Sequence, residues 1–86
     1  MAYFAAILHM VDIEKSKEIR PDHLAYLNKL EKEQKIFAKG PFVDGTGGLV
    51  VYNADSYDEA VTLAENDPYI VHHARRLELK EWSIIE

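Results

Sequence analysis

The chain has 86 residues, 48% of them hydrophobic, with 15 acidic against 10 basic side chains, a formal net charge of −5 and no cysteine. That is material for one small domain, residues 1–86; it excludes disulfides and thiolate metal sites, and the lack of any Lys/Arg cluster excludes a nucleic-acid backbone as partner. The longest apolar run is about nine residues, far short of the roughly 20 a membrane span takes, so no membrane partner and a cytoplasmic location are expected.

Ala2 to Met10 is apolar on both faces of a strand, with Tyr3, Ala5 and Ile7 on one side and Phe4, Ala6, Leu8 and Met10 on the other. Such a run reads as a central strand covered on both sides. Val11 to Ile19 is charged and mixed and reads as a solvated connector. A helix is expected from Arg20 to about Gln34. Pro21 suits a first helical position and Asp22 favours the first turn. His23, Leu27 and Leu30, at i, i+4 and i+7, form one inward stripe with Leu24 alongside.

Lys35 to Val43 turns strand-like, with Ile36, Ala38 and Phe42 expected on one face. Gly40-Pro41 interrupts it, which predicts a bulge or a close backbone approach by a ligand. Asp44-Gly45 is a hairpin signal, and Leu49 to Tyr52 is the returning, central strand. Ser56-Tyr-Asp-Glu59 is a capping box for a helix to about Glu65 that buries Ala60, Leu63 and Ala64. Asn66-Asp67-Pro68 stops that helix. Ala74 to Ile85 is the last strand, where Leu77 and Leu79 alternate with Glu78 and Lys80.

The order β-α-β-β-α-β predicts an α+β, ferredoxin-like fold with an antiparallel sheet and both helices on one face. The other sheet face keeps half the apolar residues of the two central strands. A homodimer packed through sheet faces, closing a dimeric α+β barrel, would bury them.

Two residues stand out for chemistry. His23 points inward in what reads as a first helical turn, where the dipole disfavours a charged imidazole. That suits a general base near a cleft; a core histidine bonded to a backbone carbonyl is the alternative. Asp67 reads either as a carboxylate at the unfavourable end of a helix or as the N-cap of the turn Asp67-Pro-Tyr-Ile. Whether the two touch does not follow from their spacing. If they do, the aspartate would fix the tautomer and orient the ring. His72 and His73, neighbours in an extended segment, cannot share a metal ion, and no metal or cofactor is expected. Arg75 and Arg76 make a positive spot sufficient for one small anion. The Gly45–Gly48 stretch joins strands and forms no phosphate loop, and Ser16 lacks a nucleophile-elbow context.

Arg20-x-x-His23-Leu24, Gly40-Pro41 and Asp67-Pro68-Tyr69, in that order and with Trp82 near the end, resemble the YciI-like (YCII-related) family across essentially the whole chain. The resemblance implies a dimeric α+β barrel and a His–Asp active site, here His23 and Asp67, at a pocket near the dimer. One relative in that family eliminates chloride from a chlorinated hydroxyquinone. His72-His73-Ala74 departs from a commoner Ala-Gly pair, and the Gly40–Gly48 loop is short; both bear on pocket shape. The expected function is cofactor-free acid/base chemistry on a small anionic, aromatic or enolisable substrate. Its residues are His23 and Asp67, with Arg20, Gly40 and Pro41 at the substrate. A small-molecule binding or regulatory module is the alternative.

Overall fold

The residues of β1 (Ala2–Met10) have no polar face to offer water, and the chain places them mid-sheet. The computed structural model describes residues 2–85; Met1 and Glu86, the ends of the expected domain, lie outside the described residues. After β1 come α1 (Ile13–Lys32), β2 (Ile36–Pro41), β3 (Gly47–Ala54), α2 (Tyr57–Glu65), α3 (Pro68–Val71) and β4 (Arg75–Trp82). The sheet order is β2-β3-β1-β4, with every neighbouring pair antiparallel. This is the ferredoxin-like α+β arrangement, with the two doubly apolar strands in the middle.

Register explains the layering. Phe4, Ala6 and Leu8 stand opposite Tyr52, Val50 and Gly48, so all share the helix-side face. Ala6, Leu8, Val50 and Tyr52 pack there against Leu27 and Leu30 of α1, Ala64 of α2 and Tyr69 of α3. Each fully buried aliphatic side chain contributes about 1.5–3 kcal/mol. Tyr3, Ala5, Ile7, Leu49 and Val51 point to the other face. Ala5, Ile7, Phe42, Leu49 and Trp82 line a shallow apolar trough of about 310 Å3 on that side, with Lys80 and Glu81 at its rim.

Five expectations change, among them the shared face of Ile36 and Ala38, which a register shift splits. Val11 to Ile19 is not a connector: α1 starts at Ile13, capped by Asp12, whose side chain accepts from the Lys15 N–H. Pro21 therefore lies inside the helix, not at its start, and deprives the Lys17 carbonyl of its partner four residues on. Gly40-Pro41 does not bulge; the register shift lies between Ile36 and Ala38, and Gly40 pairs regularly with Leu49. That bulge separates Ile36, opposite Tyr52 on the helix side, from Ala38, opposite Val51 on the far side. Lys39 and Pro41 are thereby turned toward the helices. Finally, β4 ends at Trp82, so Ile84 and Ile85 lie beyond the strand.

The hairpin and both predicted caps form. Gly45, at φ +79°, makes the turn, and Asp44 accepts from the Thr46 N–H and hydroxyl. Gly47 has φ +145°, and a Cβ there would stand 2.0 Å from the Leu8 carbonyl oxygen. Ser56 accepts from the Glu59 N–H, while Glu59 accepts from the Asp55 N–H.

Candidate active site

Where α1 crosses the sheet near α3, His23 and Asp67 meet. Their elements explain why. His23 lies on the buried stripe with Leu27 and Leu30, ten residues into α1, so the dipole at a helix start has no hold on it. Asp67 follows the last turn of α2 and caps α3. Its Oδ1 accepts the Tyr69 N–H at 2.9 Å, and Pro68 takes the first helical position. The same Oδ1 accepts from His23 Nδ1 at 2.8 Å. Asp67 is thus the N-cap of the turn Asp67-Pro-Tyr-Ile, and the contact with His23 that the spacing left open is made by the same oxygen.

A carboxylate oxygen only accepts, so Nδ1 carries a proton, and in the neutral ring the lone pair is then on Nε2. Asp67 is fully buried, and its Oδ2 has no hydrogen-bond partner among the described residues. Its charge reaches the two phenols beneath it. Burial first, then the charges of Asp67 and Glu33, push Tyr26 up to about 12. Burial, Asp67 and Tyr26, in that order, push Tyr52 well above the usual tyrosine range. Both phenols therefore stay protonated near neutrality. Tyr26 donates to the Leu63 carbonyl at 2.7 Å.

The imidazole stacks on Tyr69, with ring centroids 4.0 Å apart and planes 24° from parallel. It opens onto a cavity of about 180 Å3 between α1 and the β2–β3 end of the sheet. Leu8, Leu27 and Val50 supply the apolar floor; Arg20, Lys39 and Arg75 supply the charge. Gly40 and Pro41 line it as well, so four of the five site residues named from the sequence line one cavity, and the fifth, Asp67, is buried behind His23. Lys39 is engaged by Glu31 at 2.8 Å. Of the other lining residues, Tyr69 is visible in the sequence only as the last member of Asp67-Pro68-Tyr69, and Arg75 only as half of the positive spot Arg75-Arg76.

The two other histidines of interest fall elsewhere. His72 ends α3 and His73 follows at φ +57°, both exposed; a glycine would take that backbone without strain. Ser16 is buried, and its hydroxyl lies within reach of Met10 Sδ, the Ala74 carbonyl and Arg75. Among the described residues no three His, Asp or Glu side chains converge as a metal site, and no helix is long and apolar enough to cross a membrane.

A ferredoxin-like α+β domain with a buried histidine–aspartate pair at a cleft is the class these features define. The chain belongs to the YCII-related domain family, whose profile matches residues 1–83. It is 37% identical over 62 residues to the uncharacterized protein YjpA of Bacillus subtilis, a match covering 72% of this chain and 73% of that one. Among solved structures it is similar to 5-chloro-2-hydroxyhydroquinone dehydrochlorinase (TftG) of Burkholderia phenoliruptrix AC1100, in complex with 2,5-dihydroxybenzoquinone. That likeness has a TM-score of 0.81 at 25% identity and covers 94% of this chain and 93% of the other.

Proposed function

We propose that this protein is an acid/base enzyme acting on a small anionic ring or enolisable molecule held in the cleft. His23 Nε2 takes and returns the proton. Asp67 holds Nδ1–H and stabilises the imidazolium as it forms; Arg20 meets the anion, and Gly40 and Pro41 shape the wall. The observation that carries this reading is the buried 2.8 Å bond from His23 to Asp67 at a cavity lined by cations. The dehydrochlorinase with its bound dihydroxybenzoquinone supports the substrate class.

Chloride release from 5-chloro-2-hydroxyhydroquinone tests it, with deuterium exchange into a panel of enolisable ring acids for other substrates. His23→Ala and Asp67→Asn should each lower the active reaction at least ~10²-fold while the fold persists. Wild-type rates in both variants would overturn the assignment. The cationic lining also suits a second reading, a binding module; that protein would bind the ring anions and leave every rate at the solvent background.

We also infer a homodimer through the outer sheet faces. The apolar trough around Ile7, Leu49 and Trp82 supports it, because contiguous apolar surface on a sheet is costly to leave wet. Light scattering at micromolar concentration should give twice the chain mass, and a clean monomer would refute it.

A further inference from the structure

Arg75 is the basic residue the acid/base reading leaves without a task. It opens β4 opposite Met10, a register that turns it to the helix side. Its guanidinium carbon lies 4.1 Å from the centroid of the Tyr69 ring, in cation–π range. Its Nε donates to the buried Ser16 hydroxyl at 3.4 Å. Its Nη1 lies beside Gly48, 3.4 Å from where a Cβ would stand, an ordinary contact distance. The side chain is thus held from two sides, half-buried, and lines the same cavity as His23.

What it lacks is a carboxylate. Lys17, Lys35, Lys39 and Lys80 each have a glutamate within 4.0 Å, and so does His9. Arg75 has no acidic partner among the described residues. Among the described residues no Asp or Glu lines the cavity, Asp67 lying behind His23, in a chain where acidic residues outnumber basic ones 15 to 10. A fixed guanidinium with no carboxylate on the cleft surface beside it, on a protein of net negative charge, is a preformed anion site.

We propose that Arg75, stacked on Tyr69, anchors an anionic oxygen group of the substrate at the end of the cleft away from the atom that meets His23. This deepens the acid/base reading and rests on it for the role of His23. The ring of Tyr69 lies 4.0 Å from the imidazole and 4.1 Å from the guanidinium, which puts the two no more than about 8 Å apart. Within that bound, a single six-membered ring bearing a carboxylate or an ionised enol can meet both groups from the cavity they share. The class selected is therefore a planar ring acid, with Arg20 a second, exposed cation at the cavity.

Binding, not turnover, tests this, so it can fail or stand apart from the catalytic reading. Calorimetry and amide NMR would follow 2,5-dihydroxybenzoquinone, benzoate and neutral benzamide on the wild type, Arg75→Lys, Arg75→Gln and Arg20→Gln. The wild type should bind at least one of the two anions, at least tenfold more tightly than benzamide. Arg75→Gln should weaken that anion ~10- to 100-fold, the range of a lost charged hydrogen bond. Arg75→Lys should not restore it, because an ammonium neither stacks nor forks. Arg20→Gln should cost less. The 15N signals of His23 should keep the Nδ1–H tautomer in every variant. Anion affinity within twofold of wild type in Arg75→Gln would overturn the proposal. So would equal loss of benzamide and the anion, or a wild type that binds neither anion at millimolar concentration.

Discussion

Asp67→Asn separates the chemical role of the carboxylate from its structural one. In the wild type Oδ1 accepts two buried donors, His23 Nδ1–H at 2.8 Å and the Tyr69 N–H at 2.9 Å. The Tyr69 amide can only donate, so the asparagine must present its carbonyl oxygen at that position. His23 then still donates Nδ1–H, and its tautomer survives the substitution. Two charge-assisted bonds become neutral ones, a loss of about 1 kcal/mol each. Relief of a buried charge whose Oδ2 has no partner among the described residues acts the other way. Net stability should move by less than ~2 kcal/mol. The reaction should suffer more. A carboxylate about 4 Å from a forming imidazolium is worth about 4 kcal/mol at an effective dielectric of 20, or close to 10³-fold in rate. Urea unfolding, 15N tautomer signals and the proton-transfer rate, measured on one preparation, read the three effects separately. A variant that loses the tautomer, or loses activity only in proportion to its unfolded fraction, would refute this division of labour.

Pro21→Ala should restore a bond to the Lys17 carbonyl and raise stability by up to ~3 kcal/mol in urea unfolding; an unchanged midpoint would mean that the helix already compensates. Gly47→Ala meets the Leu8 carbonyl at 2.0 Å from a backbone at φ +145°, so it should cost at least ~2 kcal/mol and lower the melting temperature clearly. Glu59 is held below its ordinary 4.5 first by the Asp55 N–H and then by Lys35. Its contribution is therefore complete above about 4.5 and fades as pH falls through the lowered value. The stability gap between wild type and Glu59→Gln should narrow on acidification over that interval, and a gap that widens would contradict the sign.

The central strands were legible because neither β1 nor β3 has a polar face, and nothing but a mid-sheet position satisfies that. The capping box at Ser56 and the turn at Asp44-Gly45 were legible because their partners lie within a few residues. The start of α1 was misread for an equally local reason. Pro21-Asp22 imitates a helix opening, while the true cap, Asp12, precedes a charged stretch that looks like a loop. Propensity disfavours proline inside a helix, but here the packing of the His23–Leu27–Leu30 stripe prevails. The bulge after Ile36 left no sequence mark, and it decides that Lys39 faces the cleft. His23 was found by its stripe, although the dipole argument attached to it failed with the helix boundary. Its contact with Asp67 needs α1 against α3, 44 positions apart in sequence, and no local rule reaches that far. The place of Arg75 depends on its register with Met10, which is likewise invisible until the strands are paired.

One oxygen atom, Asp67 Oδ1, both opens a four-residue helix and grips the imidazole. A helix that short has almost no hydrogen bonds of its own to spare. Losing that turn releases the ring, and Tyr69 ties the turn to the core of the sheet, so the orientation of the imidazole and the core packing should be lost together on heating. The same coupling leaves evolution little freedom at this position: any side chain that abandons the histidine must also find another way to start the turn.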